Sequence, residues 1–226
     1  MTANDTTARR CLQLLLLGVV WLGATVNPAS ASSVTFTNNP AGIGTAFTID
    51  WGAPGPDLTS TGSPLTQGQV TVSGAADFSI FSGATYNADF LPTDWVLSLF
   101  DLNSFIPLPG VFSIDFVTPV NSAGAQVQAL SFGSFSGTIS AFDVSNALLA
   151  VFNVNGTNGG NGDGSAVFAG IISDSSNIHR LEFAGFGDGA AIGELRAGSV
   201  PEPSTFAMLI EGGALLIALR RRRSRR

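Results

Sequence analysis

The chain has 226 residues, 45% of them hydrophobic and only 12% charged, enough for one domain of ordinary size. It contains no lysine, and eight of its ten arginines lie in 1–31 and 200–226, so 32–199 sets two arginines against thirteen carboxylates, a net charge of −11. A body this acidic repels nucleic-acid phosphates and anionic lipid; that excludes a nucleic-acid partner and leaves solubility, cation binding or contact with neutral polymers.

At the N-terminus, Arg9 and Arg10 precede an apolar stretch over 11–24, and Ala29-Ser30-Ala31 supplies a small-x-small site. This is the layout of a secretory signal peptide over 1–31, with signal peptidase cutting after Ala31. The one cysteine, Cys11, lies in the segment to be removed. The mature body is therefore expected to hold no disulfide and no thiolate metal site, and its core must hold it together.

From residue 32 to 199 the pattern is that of strands. Phe112, Ile114 and Phe116 alternate with Ser113 and Asp115, and Val70 and Val72 with Thr71 and Ser73. Further strands are expected at 35–37, 47–51, 77–82, 95–100, 127–132, 138–144, 148–154, 166–171, 178–183 and 191–197. Turn signals separate them: Pro54-Gly55-Pro56, Leu108-Pro109-Gly110, Ser122-Ala123-Gly124 and the glycine-rich 155–164 stretch. Short strands at this spacing predict an all-β fold, an antiparallel two-sheet sandwich of jelly-roll type over 32–199.

Residues that carry chemistry are few. His179 is the only histidine, with no second one for a metal site and no nucleophile motif beside it. Glu182 and Glu194, on neighbouring candidate strands, are a carboxylate pair of the glycosidase kind, and Asp89, Asp94 and Asp101 form a second acidic group. Thirteen carboxylates make some proximity a matter of chance, so no catalytic residue is expected. Asn155, Asn158, Asn161 and Asp163 offer oxygen ligands to calcium, in a spacing that fits neither an EF-hand nor a glycine-rich calcium repeat. A long hairpin loop is the simpler account of that stretch, and no other cofactor is expected. Trp51 and Trp95 would serve a sugar-stacking platform if exposed and the core if not.

The C-terminus closes the case for export. Val200-Pro201-Glu202-Pro203-Ser204-Thr205 is extended by its prolines, 206–219 is largely apolar, and Arg220, Arg221, Arg222, Arg223, Arg225 and Arg226 form a basic block on the cytoplasmic side. This three-part arrangement over 200–226 resembles a PEP-CTERM sorting tail, with Pro201, Glu202 and Pro203 matching the signature. The resemblance implies an exosortase acting near the motif, in a Gram-negative producer of exopolysaccharide. Glu211 interrupts the apolar run, which as a helix is only about 21 Å long against a hydrocarbon core near 30 Å. The membrane helix is thus a marginal, transient anchor. The order of segments from Gly110 to Gly198 is similar to the lectin-like β-sandwich ectodomains that precede such tails. There, relatives carry an acidic residue and an asparagine in the last strand; here the comparable stretch is Ala191-Ile192-Gly193-Glu194-Leu195.

The leading reading is an exported, exosortase-sorted, non-enzymatic surface or matrix protein associated with exopolysaccharide and biofilm. It would pass through the inner membrane and finish at the cell surface or outside the cell. The alternatives are a carbohydrate-binding module, with calcium or an aromatic platform, and a glycoside hydrolase.

Overall fold

The computed structural model describes residues 32–86, 88–104 and 106–198. The signal segment with Ala29 and Ala31, and the tail with Pro201, Glu202, Pro203 and the arginine block, lie outside the described residues. In chain order the strands are β1 (Val34–Thr37), β2 (Phe47–Ile49), β3 (Thr59–Thr61), β4 (Leu65–Gln67), β5 (Val70–Ser73), β6 (Phe78–Ser82), β7 (Trp95–Ser98) and β8 (Phe100–Asp101). They continue as β9 (Ile106–Pro107), β10 (Phe112–Val120), β11 (Ser122–Ala129), β12 (Gly133–Phe142), β13 (Leu148–Asn158), β14 (Val167–Ser173), β15 (Ile178–Ala184) and β16 (Ala190–Gly198).

Two antiparallel sheets share one core, as the alternation predicts. The eight-stranded sheet runs β1-β14-β11-β16-β7-β6-β3, with β2 also paired to β16; the six-stranded sheet runs β13-β12-β15-β10-β5-β4. Phe112, Ile114, Phe116, Leu181 and Phe183 turn inward from the six-stranded sheet. Ala123, Ala125, Val127, Ile171, Ile192 and Leu195 meet them from the other sheet. Each fully buried Phe or Ile contributes about 1.5–3 kcal/mol relative to an exposed one. From β13 onward, successive strands cross between sheets: β13 and β15 belong to one, β14 and β16 to the other.

Two expectations change. Ser122-Ala123-Gly124 is not a turn but the start of β11, the strand expected to begin at Val127. Gly124 pairs with Gly170, and a Cβ added to it would stand 2.5 Å from the Gly170 Cα and 2.9 Å from the Phe168 ring. The glycine is there for close approach of two strands, not for a turn. The stretch expected as a loop from Asn155 is strand as far as Asn158. Three further strands, β3, β4 and β9, gave no signal because each has only two or three residues and no apolar alternation.

The two sheets differ on their outer faces. A long connection, 83–94, folds over the eight-stranded sheet. Tyr86, Ala88 and Phe90 pack there on Phe81, Val96 and Ala191 as a second apolar cluster. Both faces of β6 and β7 are therefore covered, which explains why residues 78–81 and 96–98 are buried without alternation. On the six-stranded sheet, Ser136, Asn153, Asn155 and Thr157 stand exposed.

A candidate ligand cleft on the outer face of the larger sheet

A bulge in β16 creates the site. Leu195 pairs with Ala125 and Ile192 with Val127, so Gly193 and Glu194 together oppose the single residue Gln126. Such a bulge frees backbone groups and re-aims side chains. The Gly193 carbonyl accepts a hydrogen bond of 2.6 Å from the Trp51 indole Nε1, reaching it from inside the sandwich. With Leu195 and Ala197 in the core, Glu194 and Arg196 turn to the outer face. Arg196 Nε lies 2.5 Å from Glu194 Oε1.

These side chains and Gln126 form the floor of a cleft of about 340 Å3, with Phe168 beside them. Leu91 and Asp94 close one side, and Asn38 and Pro40 line it too. Asp94 is fixed by its own turn: Leu91 N donates to its Oδ2 at 2.9 Å, and its own N–H donates to the Leu91 carbonyl at 2.9 Å. Burial pushes the Asp94 carboxyl above its ordinary value; the Leu91 bond opposes this, and the charges of Glu194 and Asp50 add to it.

A second polar node holds the wall in place. Asp89 is 2% exposed, and its carboxylate accepts from Gly159 N and Asn161 N, both at 2.7 Å, and from Gln128 Nε2 at 2.8 Å. Its own N–H donates to Gln128 Oε1 at 2.9 Å, so Asp89 and Gln128 satisfy each other. Burial raises the Asp89 pKa, but the hydrogen bonds from Asn161, Gly159 and Gln128 outweigh it and leave the carboxyl below its ordinary value. Glycines at 160, 162 and 164, all at positive φ, let the loop turn back so that Gly162 N reaches the Ala88 carbonyl at 3.0 Å.

An apolar groove of about 450 Å3 lies elsewhere, lined by Leu58, Phe81, Tyr86, Phe100, Leu130 and Phe132. Phe132 is 62% exposed. Burial pushes the Tyr86 phenol well above its ordinary value, and its hydroxyl has no hydrogen-bond partner among the described residues.

The residues singled out from sequence lie in several separate places. Trp51 is completely buried, so its ring offers no face to a sugar; its work is to hold the bulge. Trp95 is half-buried, laid against the core and the backbone of Gly52. Asn155 is exposed on β13, while the Asn158 amide is buried and donates to the Ala129 carbonyl at 2.9 Å. Asn161 offers its backbone N–H to Asp89, and Asp163 accepts from Ser165 N at 3.0 Å. The structure does not bring these four together, and among the described residues no three His, Cys, Asp or Glu side chains are grouped for a metal.

Glu182 and Glu194 are not a pair. Their strands are consecutive in sequence but lie in opposite sheets, and each carboxylate faces outward with the core between them. Glu182 instead meets Arg180 at 3.2 Å, and the Arg180 guanidinium sits 4.4 Å over the Phe142 ring. Asp89, Asp94 and Asp101 part company as well, since Asp101 caps its own turn through Asn103 N and Ser104 Oγ. His179 is half-buried on β15, and the Asp143 carboxyl is held low by its hydrogen bonds from Ser145 and Ala147.

Gln126, Phe168 and Arg196 were not foreseen as site residues. The readable signal was Arg196, one of two arginines in the whole body and two residues from Glu194.

No family model matches the chain, and no curated protein matches it. Among solved structures, the chain is similar to CsCBM6-3 from Clostridium stercorarium, solved in complex with cellobiose. The identity is 14%, over 68% of this chain and 94% of that one, with a TM-score of 0.32. It is also similar to the enzymatically active domain of bacteriophage CBA120 tailspike protein 4, at 14% identity over 76% of this chain, with a TM-score of 0.29; the match spans 20% of that chain. A third is the family 11 carbohydrate-binding module of the cellulosomal cellulase Lic26A-Cel5E of Clostridium thermocellum. There the identity is 7%, over 60% and 95% of the two chains, with a TM-score of 0.17. These likenesses assign no residue a role.

Proposed function

We propose that this chain is an exported, non-enzymatic surface protein of the PEP-CTERM type, whose jelly-roll-like sandwich holds a saccharide unit of a neutral matrix polymer in the outer-face cleft. Signal peptidase and an exosortase are its processing partners, and exopolysaccharide its extracellular one. The carrying observation is that Gln126, Glu194, Arg196 and Asp94 converge in one cleft beside the apolar surfaces of Leu91 and Phe168. A sugar hydroxyl both donates and accepts, so it needs fixed acceptors and donors side by side. Here the carboxylates accept, the guanidinium donates, and the amide does both. Apolar side chains suit the C–H faces of the ring. The net charge of −11 over 32–199 favours a neutral polymer over an anionic one.

Titration calorimetry with neutral oligosaccharides, with calcium and with chelator, tests the reading. Binding is expected in both conditions, weakened at least about tenfold by Arg196→Ala or Gln126→Ala and unchanged by Phe132→Ala. Loss with Phe132→Ala alone would move the site to the apolar groove. Loss with chelator alone would bring back a calcium site on the 155–164 stretch. No binding of any oligosaccharide would leave a surface protein without this ligand.

One observation favours a second reading. Asp94 and Glu194 line the same cleft, burial pushes the Asp94 carboxyl above its ordinary value with the Glu194 charge adding to it, and Arg196 meets Glu194 at 2.5 Å, so two carboxylates in different surroundings face one space. A glycoside hydrolase would release reducing ends from the bound polymer, and Asp94→Asn would abolish the release. Binding without release selects the first reading.

A further inference from the structure

The sheet edges are built differently. At the edges of the eight-stranded sheet, β1 has four residues and β3 three; at one edge of the six-stranded sheet, β4 has three. The remaining edge strand, β13, has eleven residues and, among the described residues, pairs only with β12. Every second residue of such a strand turns its N–H and C=O away from the sheet with no ladder partner. Proteins commonly guard a long edge with charge, proline or a bulge. Here there is no proline and no charged residue anywhere between Asp143 and Asp163. The one irregularity of the β12–β13 ladder lies at its Ala141/Phe142 end, and the register from Ala150 to Asn158 is unbroken, a straight run of about 27 Å. Apolar side chains flank this edge in the open: Val144 is 72% exposed, Leu148 57% and Val151 53%.

We propose that β13 is a self-association edge, along which two copies of this chain pair antiparallel and join their six-stranded sheets into one. Three observations choose a second copy as the occupant. An antiparallel pair of identical strands has two-fold symmetry, so one strand completes both partners. The exposed polar row Asn153, Asn155 and Thr157 is self-complementary, because an amide or hydroxyl donates and accepts and can face its own kind. Elsewhere the net charge of −11 drives copies apart, and the 19 uncharged residues from 144 to 162 are where that repulsion is weakest. The cleft lies on the other sheet and stays open in such a dimer.

The test uses the full chain, followed by sedimentation velocity over a concentration series together with amide hydrogen exchange. Dimerisation is expected, with exchange in 149–157 slowing as concentration rises. Val151→Lys with Asn153→Lys should weaken it at least about tenfold, because like charges then meet across the new ladder, and leave the thermal midpoint unchanged at dilutions where both proteins are monomeric. A monomer at every concentration would overturn the proposal. So would association that the double variant does not weaken, which would belong to other segments. Slow exchange in 149–157 that is independent of concentration would also overturn it, by giving the edge to another part of the same chain. The exchange measurement stands on the unaltered protein, so the test survives a variant that fails to fold.

Discussion

The outer faces of the two sheets received opposite treatment. Over the eight-stranded sheet, the 83–94 connection adds a second apolar cluster and a wall for the cleft, anchored by Asp89. Over the six-stranded sheet, serine, threonine and asparagine side chains stand in rows, and the only charges among them on β10 and β15 are Asp115, Arg180 and Glu182. One face spends its residues on fixed geometry and the other on solvation. The difference teaches where to look for a site: a sheet becomes selective where connections fold back on it and polar groups are held by buried partners.

That contrast can be broken by substitution. The largest effect is expected from Trp51→Ala, which empties a fully buried position and leaves the Gly193 carbonyl without its donor. A loss of about 3–5 kcal/mol is expected in urea denaturation, together with loss of ligand binding as the bulge relaxes. Next comes Asp89→Ala, which strands two backbone N–H groups and the Gln128 amide. We expect about 2–3 kcal/mol and faster hydrogen exchange over 159–166, with exchange in β13 and β12 little changed.

A smaller effect concerns pH. The folded Asp89 carboxyl lies below its ordinary 3.8, so its stabilisation is complete above pH 3.8 and is lost as pH falls through the folded value. The stability gap between wild type and Asp89→Asn should therefore be constant above pH 3.8 and narrow below it. A gap that widens in acid would contradict this assignment. The smallest effect belongs to the bare face: Ser136→Ala should change stability by no more than about 0.5 kcal/mol. A loss comparable to that of Asp89→Ala would mean that this face too is a built surface.

The features legible in the sequence are those set by local interactions. Phe112, Ile114 and Phe116 declared their strand because alternation is a property of neighbours. The start of β11 stayed hidden because its inner residues are alanines and its outer ones include Gly124, whose reason lies on β14. Trp51 showed only its type, since the carbonyl it holds is 142 residues away. Asp89 and Gln128 are 39 residues apart and were unreadable as a pair. Glu182 and Glu194 misled for the opposite reason: their strands are consecutive in sequence, but the connection crosses the sandwich. Glu194 was visible as an oddity in the last strand, but its place beside Gln126 depends on a bulge that no local pattern announces.

The position of β16 has a mechanical consequence. It has β11 on one side and both β7 and β2 on the other, and its last residue, Gly198, stands in one row with Ser122, Ile172 and Thr35. A pull on Gly198 along the strand loads the rungs on both sides together, in shear, rather than opening them one at a time as a zip would. For a body tethered through the residues after Gly198, drag from a moving fluid or a stretched polymer would enter the sandwich in the direction in which it yields last.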